Sequence, residues 1–585
     1  MSLPTCRFFI CLLVLVTVFP LLLQAEPAAQ VTNAPNPVQA LIERYSADHD
    51  TLTSVYTDPL SPTTRNRMGH FFADWRQQLS AVDFAALDQE SKADYLLLAN
   101  HLDREAQGMA VAASQWKEVE PLLPVASAVF LLEDAKRRVE LPNGEVVAGQ
   151  LNTMTAALTA QRKELDIALG KETAARPSRI AAWHAADDLD QLRAQLHSWF
   201  EFYNGYDPAF TWWAAQPYKQ TDQTMKDYAA FLREKVAGIA ADDKTTVVGT
   251  PVGREALLSQ LATEMIPYTP EELIAMAKEQ LAWCRQEMLR ASREMGYGDD
   301  WRKALEKVKS SYVEPGKQPQ LIRDLAVEGT QFVENNDLVT VPELAKEAWR
   351  MEMMTPERQL VNPFFTGGDT ISVSYPTDTM TYDQRRMSMR GNNPSFAHAT
   401  VFHELIPGHW LQQYITARYR PYRQLFSTGF WIEGNAFYWE MLLWDRGFDA
   451  TPEQRIGALF WRMHRCARIV FSLSFHLGRM TPEQASDFLV DEVGHERDNA
   501  VAEVRRSFNG SYDPLYQASY MLGALQFCAL HHELVDSGKM TNRQYHDAIL
   551  HENMMPVEIL RAILTNEKLT PEFKGSWRFL DEPLQ

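Results

Sequence analysis

Three times in this chain a threonine is followed by proline, glutamate and a second acid or amide: Thr269-Pro270-Glu271-Glu272, Thr451-Pro452-Glu453-Gln454 and Thr481-Pro482-Glu483-Gln484. Each is a helix start. The threonine hydroxyl accepts a bond from an amide that has no partner inside the helix. Proline loses nothing at the first helical position, and Glu or Gln at the third reaches back to the cap. Apolar residues then recur every three or four positions, as at Leu273, Ala277 and Leu281 or Ile456, Phe460 and Met463, which is the period of a helix with one buried face. Strand signals are scarce. The best is Asp369–Tyr375, which alternates apolar and polar after Gly367-Gly368 and stops at Pro376. The sequence therefore predicts a mostly α fold with one small edge β element, along which an extended peptide could pair.

Single hydrophobic cores stop growing near about 250–300 residues, so 585 residues predict two lobes. We expect an N-terminal helical lobe over 38–260, with loops at Pro121–Pro124, Leu141–Gly144 and Ala241–Gly253. A second helical lobe over 261–585 carries every catalytic candidate, and the boundary is expected near 245–265.

Residues 1–25 differ from the rest. Arg7 is their only charged side chain, and Phe8–Phe19 is apolar, followed by Pro20, three leucines and Gln24-Ala25. This reads as a signal peptide cleaved near Ala25, with 26–37 as a flexible leader to the fold. The apolar run is too short and too broken by Pro20 for a comfortable membrane span of about 20 residues, and Cys11 lacks the small-residue context of a lipid-attachment site. Export to the periplasm or medium follows, with no stable membrane insertion once the leader is removed. Losing Arg7 takes the net charge from −19 to one unit more negative, an acidity that repels nucleic acid and anionic membranes. The remaining Cys284, Cys466 and Cys528 are too widely spaced and odd in number for a disulfide framework.

His-Glu pairs occur at 403, 495, 532 and 551, but only His403 has a second histidine four to six residues downstream, at His409. Zinc takes neutral imidazoles and carboxylates, and hydrolysis needs a carboxylate beside the metal to accept a proton from water. Glu404, next to His403, has the place of the base in the His-Glu-X-X-His helix. His409 lies six residues on, about 120° round a regular helix from His403. Pro407-Gly408 between them predicts a bulge that returns His409 to the His403 face. A third ligand is expected from the aromatic segment Trp431–Glu440, where Glu433 and Glu440 sit seven apart on one helical face. Either could reach the metal, with Glu433 favoured, and the other could orient a ligand histidine from behind.

His-Glu-X-X-Pro-Gly-His at 403–409, then Leu411-Gln412, Glu433-Gly434 and Ala436-X-Tyr438-X-Glu440, resemble the domain-of-unknown-function 885 (DUF885) family, which is grouped with gluzincin-type zinc metallopeptidases. Further segments are similar to that family: Leu41–Tyr45, Arg468-Ile469-Val470 with His476, Glu503–Arg506, and Tyr516–Gly523. The chain departs from the family at Ser472, Leu515-Tyr516, Arg506 and Asn435. The resemblance implies a two-lobed, helical, gluzincin-like architecture. It also implies zinc on His403, His409 and Glu433, with Glu404 as general base and hydrolysis of peptides or small amides. Tyr520 and His476, in the similar blocks, are candidates to stabilise an oxyanion. Arg468, Arg505 and Gln517 are candidates for substrate binding, the arginines through a substrate carboxylate, and Glu440 for support of a ligand. Two other functions fit the same scaffold: a catalytically silent binding protein, and a zinc hydrolase of a non-peptide substrate.

Overall fold

The computed structural model describes residues 36–580 apart from 172–175, 241–242, 244–245, 362–364 and 511. The expected signal peptide, and the leader up to residue 35, lie outside them. The leader's last two residues are structured. Asn36 caps the first helix, Pro37–Val55, by accepting from the amides of Val38 and Gln39, and Pro37 is the first helical residue.

The three Thr-Pro-Glu phrases that end in Glu or Gln all start helices: Pro270–Glu294, Pro452–His476 and Pro482–Phe488, each with the reciprocal capping box. In the first, the Thr269 hydroxyl accepts from the Glu272 amide at 3.2 Å while the Glu272 carboxylate takes the Thr269 amide at 2.7 Å. Such caps are readable because every participant lies within four residues.

The fold is helical, with one parallel pair of strands among the described residues, β1 (Arg350–Met353) and β2 (Thr370–Val373), in the register Arg350↔Thr370 to Met353↔Val373. β2 falls inside the predicted strand. Its other edge is not free at Ser372, which exchanges backbone bonds with Thr366. That leaves less edge for an added peptide than the sequence pattern suggests.

The apolar core divides the chain differently from the expected lobes. One cluster runs from Val38 to Leu102 and again from Leu257 to Phe579, and a second gathers residues between Trp116 and Leu232. The 31-residue helix Gln89–Val119 supplies Leu102 to the first and Trp116 to the second, so a single rod joins both. The buried apolar residues of 38–102 thus belong to the core of the C-terminal body, although Leu60 packs against the second cluster and Thr63 bonds to Asp134 there. A buried ion network fastens them there: Arg423, fully buried, donates to Asp94 at 2.7 Å and to Glu552 at 2.5 Å. The long sequence separation of these partners hides them from any local pattern.

Six helices surround the candidate site: Pro394–Glu404, His409–Thr416, Gly429–Asp445, Pro452–His476, Arg497–Phe508 and Tyr516–His531. The third and sixth pack backbone to backbone where Gly434 meets Gly523. A Cβ on Gly434 would lie 2.5 Å from the Gly523 Cα, and one on Gly523 would lie 2.1 Å from the Phe430 carbonyl. This close approach brings Tyr516 and Tyr520 over Glu433.

Candidate metal centre

The motif helix ends at Glu404, and a new helix begins at His409. The expected bulge in a continuous helix is instead a break across Leu405–Gly408. The Gly408 amide donates to the Phe402 carbonyl at 2.9 Å, folding the link back on the helix it leaves. A Cβ at Gly408 would sit 1.8 Å from the His403 carbonyl oxygen, so only glycine permits that approach. His409 opens its helix facing inward, its side chain 13% exposed.

The break brings His409 to His403, with ring centroids 4.8 Å apart and planes perpendicular. Glu433 Oε2 stands 3.2 Å from His409 Nε2 and 3.6 Å from His403 Nε2. The three residues each offer one donor atom, all within 4.8 Å of one another. Atoms bound about 2.1 Å from a common zinc ion would stand about 3.4 Å apart in a tetrahedron, so this donor set suits such an ion.

Behind the donors stands a second layer. Glu440 Oε1 lies 2.7 Å from His403 Nδ1, on the side of the ring opposite Glu433. Gln412 Oε1 lies 3.3 Å from His409 Nδ1, and the Gln412 amide is held by the Ile432 carbonyl and Asn435 Oδ1. Partners on both Nδ1 atoms favour the tautomers that turn the Nε2 lone pairs towards Glu433. The two glutamates that sequence spacing could not separate therefore occupy the two sides of one imidazole. Tyr516 donates to Glu433 Oε1 at 2.8 Å and lies 3.3 Å from the Tyr520 hydroxyl.

The electrostatics follow from packing this much charge out of water. Burial lowers the His403 imidazole, but Glu433 and Glu440 outweigh it and raise the group to about 9. Burial is likewise outweighed at His409, which Glu433 raises. For Glu433 burial pushes upward, yet His409 and His403 hold it well below the usual carboxylate range. Burial raises Glu404 above its ordinary value, against the pull of His403 and His409.

Glu404 lines the same cavity of about 280 Å³ as His403, His409 and Glu433. The Gly367-Gly368 turn before β2 lies against it: a Cβ on Gly367 would come 2.5 Å from Glu404 Oε2, and the Gly368 amide donates to the Glu404 carbonyl. The opposite wall holds Tyr520, whose ring lies nearly parallel to His403 at 6.5 Å, with Arg465 and Arg468 beyond it.

Besides Glu440, which stands behind His403, three expected site residues are not on the cavity wall. His476 lies eight residues beyond Arg468, about 12 Å along its helix; it packs against Phe475 and Phe508, and burial lowers it to about 4. Arg506, not Arg505, lines the cavity, since neighbouring helical residues point about 100° apart. Gln517 turns away to donate to Glu503 and Ser507, where it props the Arg468 partner. Sequence reasoning passed over Arg465, Gln412 and Tyr516 as functional residues. Each sits three or four residues from a residue it did single out, so helical spacing was the available signal.

Residues 42–564 match the family described as a bacterial protein of unknown function, DUF885. Among solved structures, a candidate lipoprotein of unknown function from Shewanella oneidensis superposes with a TM-score of 0.67 at 16% identity, covering 90% of this chain and 99% of that one. A candidate lipoprotein from Colwellia psychrerythraea gives 0.57 at 14% identity, with 90% and 98% covered. At such identities these likenesses speak to the fold. No curated protein matches. No described helix is long and apolar enough to cross a membrane.

Proposed function

This chain belongs to the bacterial DUF885 family, and we propose that it is a zinc-dependent hydrolase of peptide or related amide bonds. The observation that carries the reading is the convergence of His403, His409 and Glu433 within 4.8 Å on a cavity that Glu404 also lines. Five ionisable side chains, these four and Glu440, largely withdrawn from water together are costly unless an ion compensates them. A dication is the natural compensation for a set with this balance of imidazole and carboxylate. When bound, zinc supplies Lewis acidity that polarises a carbonyl and makes water nucleophilic near pH 7.

The chain's own residues do the rest. Glu440 and Gln412 hold the two imidazoles in one orientation. Tyr516 fixes Glu433 through its other oxygen. Glu404, whose burial raises its proton affinity, takes the proton of the attacking water and delivers it to the departing amine. Tyr520, on the cavity wall beside His403, is the donor for the oxygen on which negative charge develops. The apolar N-terminal 25 residues support action outside the cytoplasm.

The test is digestion of an unbiased peptide library by the purified protein, read by mass spectrometry, beside Glu404→Gln. Cleavage that needs Glu404 and is lost on chelation is expected. A metal-bearing protein that cleaves no peptide would refute the reading.

A further inference from the structure

The wall facing the donor cluster holds arginines with hydrogen-bonding capacity left over. Arg468 is 4% exposed and lines the cavity. Its Nε donates to Glu503 Oε1 at 2.7 Å, and Arg506 forms an ion pair with the other oxygen of Glu503 at 2.8 Å. Two guanidiniums thus share one carboxylate. Among the described residues no further hydrogen-bond partner meets the terminal nitrogens of Arg468. Arg465, one turn earlier and 5% exposed, stands 3.5 Å from Glu440, a carboxylate already engaged with His403, and its buried Nε has no partner. Buried guanidinium nitrogens without acceptors are costly, and a planar fork left open is shaped for a carboxylate.

Arg468 and Arg465 lie 4.5 and 5.2 Å from the Tyr520 ring centroid, and that ring lies 6.5 Å from His403. An extended chain, rising about 3.3–3.6 Å per residue, covers those two steps in about three residues. The cavity, about 280 Å³, is just below the usual range of ligand sites, about 300 to 1,000 Å³, and suits a small ligand. We propose that Arg468, with Arg465 beside it, binds a carboxylate of the substrate. Preferred substrates are then short peptides or acylated amino acids whose free carboxylate lies within about three residues of the cleaved bond. This rests on the hydrolase reading for the identity of the bond, but the binding itself can be measured without turnover.

The experiment is calorimetric titration of the full-length Glu404→Gln protein, as purified, with three probes: N-acetyl-Ala-Ala acid, its C-terminal amide, and N-acetyl-Ala-Asp amide. The acid should bind about 10–100-fold more tightly than its amide, the worth of a charge-assisted hydrogen bond. Tight binding of the aspartyl amide would assign the subsite to an acidic side chain, and weak binding would assign it to the chain terminus. In the Arg468→Gln background the preference for acid should vanish, and Arg468→Lys should retain part of it. Equal binding of the acid and its amide together with weak binding of the aspartyl amide, or no binding of either carboxylate up to about 10 mM, overturns the subsite whether or not any library peptide is cleaved. A folded Arg468→Gln protein that keeps the preference overturns the assignment to Arg468. Absence of cleavage by the wild type, with the preference intact, would overturn only the hydrolase reading.

Discussion

Replacing Glu433 and Glu440 in turn by glutamine separates a metal ligand from its support. Glu433 faces Nε2 of both imidazoles, at 3.2 and 3.6 Å, whereas Glu440 faces Nδ1 of His403 alone, at 2.7 Å. Structural zinc in small peptides binds with about 10–16 kcal/mol. One ligand of a full set is therefore worth about 3–4 kcal/mol, roughly 10²–10³-fold in affinity. Partners of ligand histidines are worth about 10–100-fold. Glu433→Gln should accordingly weaken zinc binding about tenfold more than Glu440→Gln does. Glu440→Gln should also cost thermal stability in the metal-free protein, because Arg465, 3.5 Å away, loses its ion-pair partner among the described residues. Competition against chelators of graded affinity, followed by atomic absorption, measures both. Equal losses, or a greater loss in Glu440→Gln, would refute the assignment of the two sides of the ring.

Glu404→Gln keeps shape but cannot accept a proton, so turnover should fall about 10²–10⁴-fold with zinc content and melting temperature unchanged; turnover within about threefold of wild type would contradict its role. Tyr520→Phe should lower kcat by up to about 10²–10³-fold, the cost of one lost oxyanion donor, while chelator competition shows zinc affinity intact. Gly523→Ala places a methyl group 2.1 Å from the Phe430 carbonyl, so chemical denaturation should register at least the roughly 1–3 kcal/mol of an overpacked core; wild-type stability would mean the two helices separate freely.

What could be read from the sequence was what its residues decide locally. The Thr-Pro-Glu caps close within one turn, and each forms as written. His403 and His409 declare themselves by spacing, and Pro407-Gly408 announces an interruption, but whether the helix bulges or breaks depends on Gly408 meeting the His403 carbonyl. Glu433 and Glu440 share a face by period, and the choice between them needs the position of an imidazole from another helix. Arg505 and Arg506 are indistinguishable until the rotation of their helix is known. Residues 38–102 join the C-terminal body through contacts such as Arg423–Asp94, more than 300 positions apart in sequence, which no local pattern encodes. Tyr516 is the instructive omission: it stands one helical turn before Tyr520 and donates to Glu433.

A metal held by His403, His409 and Glu433 underlies every step of the proposed chemistry. Anomalous diffraction from crystals of the untreated protein, measured on both sides of the zinc absorption edge, locates it. The prediction is a single strong peak per chain about 2.0–2.2 Å from His403 Nε2, His409 Nε2 and a Glu433 oxygen. No peak there in protein that has never met a chelator, or a peak coordinated by Glu440 in place of Glu433, would contradict it.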